Sequence, residues 1–267
     1  MKIAIISDTH CGVRNSSEIF LKNAAEFYET IFFPHCLKNN IKHILHLGDY
    51  YDNRKIINFK ALNHNRKHFL TPLREYGMTM DIIPGNHDTY FKNTNDLNAL
   101  KECLGHYMNE IHIVMEPRVM KYDSLSIGLV PWINSENYDT SFKFIENCEA
   151  DWIGAHLELD GFPIGGGIVH KGGINHSIFK RFELVLSGHF HTASQKDNIM
   201  YLGNPLEFYW SDDHDPKYFY ELDTETRNIK KIQNTCTLFE KILYNDNEID
   251  YNNYTTNHMK NKFVKII

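Results

Sequence analysis

At 267 residues the chain is long enough for one large domain, or one domain plus a small appendage, around a sizeable core. Its 17 Phe, 15 Tyr and 3 Trp exclude a disordered polymer, and a formal charge of −6 argues against nucleic-acid binding by bulk electrostatics alone. Five scattered cysteines without CxxC spacing read as reduced thiols, and no apolar run is long enough for a signal peptide or a membrane span. A soluble, intracellular, cytoplasmic protein is therefore expected.

Residues 2–7 (KIAIIS) read as a buried strand, followed at once by Asp8-Thr9-His10. Ser16 or Ser17 can cap a helix to about Asn39, kinked at Pro34. His43–Leu47 is a second strand ending in Gly48-Asp49, and a helix is expected from about Asn58 to Tyr76, stopped by Gly77. Met78–Ile83 forms a third strand and runs into Pro84-Gly85-Asn86-His87-Asp88, where the chain must turn sharply. Strand, helix, strand, helix, strand with short connections predicts a βαβαβ start, an α/β class and a parallel sheet.

The second half reads as richer in strands. Candidates are Ile111–Val114, Ser126–Val130, Trp152–Ala155, Leu184–Ser187, Met200–Leu202, Tyr218–Leu222 and Ile229–Ile232, with helices near 96–104 and 140–147. Gly165-Gly166-Gly167 and Gly172-Gly173 lack the GxGxxG and GxxxxGK[ST] patterns, so that stretch is expected to be a flexible surface loop. The polar, Asn-rich tail over 245–262 is expected to be a linker, ending in the strand-like run Phe263–Ile267.

Taken singly, the polar clusters at strand ends have bland readings. Asp8/His10 could cap a helix, Gly48-Asp49 is a common turn, and His156 could be a buried histidine bonded to backbone. His189 and His191 flank Phe190 with strand alternation, so their imidazoles share a face. The joint pattern is more specific. Five apolar strands in succession end in Asp8/His10, Asp49, Asn86/His87, His156 and His189/His191, and in an α/β sheet such ends converge on one crevice. Carboxylate, amide and imidazole donors without thiolate suit Mn²⁺, Fe²⁺ or similar ions better than a structural zinc site. There are enough donors for two cations, with Asp49 placed to bridge. A pair of metals roughly 3.5–4 Å apart is the usual centre for phosphate ester cleavage.

In this order, D-x-H, GD-x-x-D, GNHD, a lone His and GHxH resemble the calcineurin-like metallophosphoesterase superfamily. GDYYDNRKII (48–57), IPGNHD (83–88), VPWI (130–133), HLELDGF (156–162), LSGHFHT (186–192) and YELDTET (220–226) are similar to the nuclease subunit of the SbcCD-type complex that repairs DNA double-strand breaks, above all its bacteriophage branch. The resemblance implies two mixed β-sheets packed as a sandwich and flanked by helices. It implies one metal on Asp8, His10, Asp49 and His191 and another on Asp49, Asn86, His156 and His189. Mn²⁺ comes foremost, with Mg²⁺, Fe²⁺ or Zn²⁺ as alternatives. His87 would act as acid or transition-state stabiliser, oriented by Asp88. Where many cellular relatives have a second histidine this chain has Asp52, expected to pair with Arg54 or to support the metal shell. Arg14, Asp52 and Arg54, with Lys55, are candidate substrate contacts.

By the same resemblance residues 1–240 form the nuclease core. Residues 241–267 would be a linker and the first strand of a truncated or missing DNA-capping domain, as in a fragment or shortened variant. The function implied is a Mn²⁺-type DNA nuclease, exonuclease on duplex ends and endonuclease on single strands, run by an SMC-like ATPase partner in recombination and repair. A homodimer is allowed. The alternatives are a general phosphodiesterase or phosphatase on nucleotides or small esters, since one dimetal centre serves many substrates, and a non-catalytic subunit, against which the complete donor set argues.

Overall fold

Period-two burial builds the centre of the molecule. In β1 (Lys2–Ile6), Ile3 and Ile5 join one apolar cluster while Ala4 and Ile6 join another, so a single strand feeds both faces of its sheet. The computed structural model describes residues 1–165, 168–245, 247–248 and 254–267. β1 lies parallel to β2 (His43–His46), which continues in parallel to β3 (Thr79–Ile82) and β4 (Ile111–Ile113). On its other side β1 runs antiparallel to β13 (Lys217–Asp223), which pairs with β14 (Asn228–Asn234).

A second six-stranded sheet has the order β11 (Ser194–Lys196), β12 (Ile199–Tyr201), β10 (Leu184–Gly188), β7 (Trp152–His156), β6 (Leu125–Val130), β5 (Arg118–Tyr122). Its three central pairings are parallel. Ile3, Ile5 and Leu45 of the first sheet pack with Ile127, Leu129 and Leu186 of the second. Each such side chain contributes about 1.5–3 kcal/mol by leaving water. The expected α/β sandwich of two mixed sheets is the fold observed.

The first sheet's other face is covered by segments 18–38 and 59–75, neither of which is one regular helix. Glu18–Phe27 and Phe33–Lys38 are α-helical around a wider turn at Tyr28–Phe32, and Phe59–Asn65 and Thr71–Glu75 flank a similar turn at Arg66–Leu70. Pro34 and Pro72 each sit in the first turn after the wide one, where a missing N–H does least harm. The second sheet's outer face packs against Tyr138–Asn147.

Of the two caps expected for the first helical segment, Ser17 is the one at the N-cap position, because Arg14, Asn15 and Ser16 lie in the left-handed region (φ 54°, 57° and 58°). One expectation needs correcting. The glycine-rich stretch is partly a hairpin, with β8 (Pro163–Gly165) antiparallel to β9 (Ile168–Val169); Gly166 and Gly167 lie outside the described residues. Of the expected linker, residues 246 and 249–253 lie outside the described residues. Beyond them β16 (Phe263–Ile266) pairs in parallel with β15 (Phe239–Ile242), and Phe263 stacks on Phe239 at 5.4 Å.

Candidate metal centre

The carboxyl ends of β1, β2 and β3 in the first sheet meet those of β7 and β10 in the second, and backbone bonds stitch them together. Asp8 N–H donates to Gly48 O and His10 N–H to Asp49 O, both at 3.0 Å. His87 N–H donates to Asp49 Oδ1 at 2.7 Å, and His189 N–H reaches the Asp8 carboxylate at 3.0 Å. Four of these residues have left-handed backbone: Asp8 (φ 52°), His10 (43°), Asp49 (54°) and His189 (88°). Such a conformation costs about 1–2 kcal/mol per non-glycine residue, and it persists where surrounding structure imposes it. The turn at Gly85 needs space, not a positive φ. A Cβ there would press on the Asp49 carboxylate and come within 2.8 Å of His156 Cε1.

Among the described residues, three groups have donor atoms within 4.8 Å of one another: Asp8/His10/His191, His10/Asp49/His87 and Asp49/His156/His189. His10 Nε2 faces His191 Nε2 at 3.0 Å, and Asp8 Oδ1 is 4.0 Å from each. Asp49 Oδ2 lies 3.7 Å from His10 Nε2 and 3.3 Å from His156 Nε2, between the two clusters. Asn86 Oδ1 stands 3.1 Å from His156 Nε2 and 2.9 Å from His189 Nδ1. Donors bound to one cation at about 2.1 Å lie about 3–3.5 Å apart, close to the spacing of His10 and His191, of Asp49 and His156, and of Asn86 with His156 and His189, while Asp8 stands somewhat farther off. The residues present fit a pair of divalent cations.

Electrostatics reinforce that fit. Burial pushes the Asp8 carboxyl up to about 6. Burial acts the same way on Asp49, but the charges of His156, His10 and His87 outweigh it and hold that carboxyl far below its ordinary range. Burial lowers His156, yet Asp49 and Asp8 drive it up to about 9. His189 falls to about 3, through burial and the charge of His156. The buried carboxylates thus favour a proton on His156, which a bound cation would displace.

The family model for calcineurin-like phosphoesterases matches residues 1–193. The chain is a calcineurin-like phosphoesterase. It is 33% identical over 263 residues to exonuclease subunit 1 of Enterobacteria phage T4, covering 96% of this chain and 74% of that one. A solved structure, described as that of a novel archaeal phosphodiesterase, covers 88% of this chain and all of its own at 16% identity, with a TM-score of 0.42. Family and relative together make the chain a metal-dependent phosphodiesterase.

The structure places Asp88 in the phosphoesterase differently from expectation. It is fully buried, and its carboxylate makes no hydrogen bond to the His87 ring among the described residues. Its Oδ2 accepts from Gly85 N–H (2.9 Å) and Tyr50 N–H (3.2 Å), and its Oδ1 from Tyr51 N–H (2.9 Å). Asp88 therefore ties the loop after β2 to the turn after β3. His87 is oriented instead by the main chain of Asp52, whose carbonyl accepts from Nδ1 at 2.6 Å and leaves Nε2 as the free ring nitrogen.

Asp52 and Arg54 are also redirected. The Asp52 carboxylate lies 3.4 Å from His10 Nδ1, close enough to pair but not aligned as a hydrogen bond. Of its two expected roles, this is the support of the metal shell, through His10. Arg54 donates to Thr89 O, Thr89 Oγ1 and Phe91 O, so it fastens the loop beyond the turn and makes no pair with Asp52. Lys55 lies 5.5 Å from the Tyr90 ring. Arg14 donates from Nε to Phe208 O and lies 4.4 Å above the Tyr209 ring; its two terminal nitrogens have no protein partner among the described residues. Tyr209 in turn stacks beside His191. Trp132, within the VPWI motif, has no chemical signature that marks it in the sequence, although its indole lies 5.3 Å from the His189 ring.

Proposed function

We propose that this phosphoesterase is a two-metal DNA nuclease, cutting duplex ends as an exonuclease and single strands as an endonuclease. The observation that carries the reading is a pair of donor clusters, Asp8/His10/His191 and Asp49/His156/His189, joined where Asp49 Oδ2 comes within 3.7 Å of His10 Nε2. The substrate class rests on the printed name of the phage relative. One cation would be held by Asp8, His10, Asp49 and His191, the other by Asp49, Asn86, His156 and His189, with Mn²⁺ the ion the donor set suits best. Bound there, two cations supply Lewis-acid chemistry, making water a stronger nucleophile and neutralising phosphate charge.

The chain's own residues do the rest. Asp49, buried and anchored by His87 N–H, fixes the spacing of the two clusters. His87, held through Nδ1, presents Nε2 to donate a proton to the leaving oxygen, a contribution of about 10²–10⁴ in rate. Arg14, a cation without a carboxylate partner in the described structure, is the substrate contact the geometry favours. We also read 1–240 as the nuclease core and 241–267 as linker plus the first strand of a DNA-capping element. An SMC-like ATPase and a second copy of the chain would be its partners in recombination and repair.

The test is cleavage by purified protein with Mn²⁺ of labelled duplex and single-stranded DNA, beside a nitrophenyl phosphodiester. DNA cleavage abolished by Asp49→Asn supports the reading. Turnover of the small ester alone, even with the ATPase partner present, would overturn it in favour of a general phosphodiesterase.

A further inference from the structure

The imidazoles of the centre are oriented in two different ways. His156 donates from Nδ1 to Leu47 O at 2.8 Å, and His10 has the Asp52 carboxylate 3.4 Å from its Nδ1. These are polar supports on the nitrogen that faces away from the cations. His189 has none, because its Nε2 finds no protein hydrogen-bond partner among the described residues while its Nδ1 faces Asn86. A histidine ring turns easily about its outer torsion, so packing must set the orientation of His189.

The rings around His189 are Phe190 at 5.1 Å, His156 at 5.3 Å and Trp132 at 5.3 Å. Of these, Trp132 is neither a proposed metal ligand nor the adjacent residue in the chain, and its indole also lies 5.9 Å from the His156 ring at 72°. Trp132 is itself firmly held. Its main-chain N–H donates to Pro84 O at 2.9 Å, immediately before Gly85-Asn86. Its carbonyl accepts from Asn95 Nδ2 at 2.8 Å and Asn137 Nδ2 at 3.0 Å, and Asn134 Nδ2 donates to Asn95 Oδ1 at 2.9 Å. Asn95 and Asn134 are buried, so this amide network is a fixed part of the fold. Asn86 and the main chain that carries the indole are thus both referenced to Pro84.

We propose that Trp132 is the positioning residue for His189, and through it for the second cation site formed with Asp49, Asn86 and His156. The inference rests on the two-metal reading of the centre. His189 adopts a φ of 88°, so its backbone is already constrained, and the indole packs beside its ring together with the adjacent Phe190 ring, where His156 and His10 have a polar support instead. Loss of a support of this kind typically weakens metal binding by about 10–100-fold.

The test titrates metal-free protein with Mn²⁺, reading free ion by electron paramagnetic resonance and tryptophan emission in parallel, with a melting temperature for each variant. Wild type is expected to bind two Mn²⁺ and to lose emission as the second binds. Trp132→Leu should bind the first ion as wild type does and the second at least about 10-fold more weakly. Trp132→Phe, which restores a ring face, should recover most of that affinity but lack the emission change at the second equivalent. Wild-type affinity for both ions in Trp132→Leu overturns the proposal. So does an equal weakening of both ions in step with a lower melting temperature, which marks a structural role. Fewer than two ions on wild type would remove the two-metal reading itself, and this inference with it.

Discussion

Asp88→Asn separates an orienting role for this carboxylate from a structural one. In the wild type three backbone N–H groups point at two carboxylate oxygens with no exposure to water. An asparagine can keep its single oxygen at the Oδ2 position, where Gly85 and Tyr50 donate. It must then turn its NH₂ toward Tyr51 N–H, leaving one buried donor unsatisfied. That costs about 1–3 kcal/mol, and the two retained bonds lose their charge assistance, so about 2–4 kcal/mol of stability should disappear. Asp88→Ala orphans all three donors and should cost on the order of 5 kcal/mol. Urea unfolding in the presence of a chelator measures this without metal linkage. If Asp88→Asn unfolds at the wild-type midpoint and only turnover falls, the carboxylate acts on His87 and the structural account of Asp88 is wrong.

Other expectations concern the centre and the sheet interface. Gly85→Ala should displace the Asp49 carboxylate, lowering cleavage by about 100-fold while costing only about 1–3 kcal/mol in unfolding; matched small effects would contradict it. His87→Ser should keep both cations yet lose about 10²–10⁴ in cleavage rate, whereas loss of a bound ion would make His87 a ligand beside His10 and Asp49. Asp81 offers a pH test away from the metals. Burial raises its carboxyl, but hydrogen bonds from His43, Tyr122 and His112 outweigh this and hold it below the ordinary range. Because the folded-state value is depressed, its stabilisation is complete above the unfolded value near about 4 and fades as pH falls through the folded one. Asp81→Asn should therefore unfold more easily at neutral pH and show a flatter decline in acid; an unchanged acid slope would refute this.

Much of the centre was legible because parallel strands buried on both faces read as short apolar runs, and a site at their carboxyl ends must follow each run directly. The runs ending at Asp8, Asp49, Asn86, His156 and His189 all obeyed that rule. Strand β5 escaped notice because Arg118 and Lys121 are exposed at a sheet edge and only Tyr122 is buried. The wide turns before Pro34 and Pro72 leave the helical apolar spacing intact, so nothing local announces them. Asp88 was misread because it is adjacent to His87 in sequence, while its partners Tyr50 and Tyr51 come from a loop brought in by β2. Asp52 has a similar lesson, since its main-chain carbonyl orients His87 and its carboxylate supports His10. The aromatic support of His189 comes from a residue more than fifty positions away, on the loop after β6, and only packing reveals it.

The central claim is that five strand ends hold two cations across Asp49. Anomalous diffraction at the manganese edge, from crystals grown with Mn²⁺, tests it most directly. Two peaks roughly 3.5–4 Å apart, one on each side of the Asp49 carboxylate, are predicted, with at least one lost in Asp49→Asn. A single peak, or peaks away from Asp49, would contradict the account.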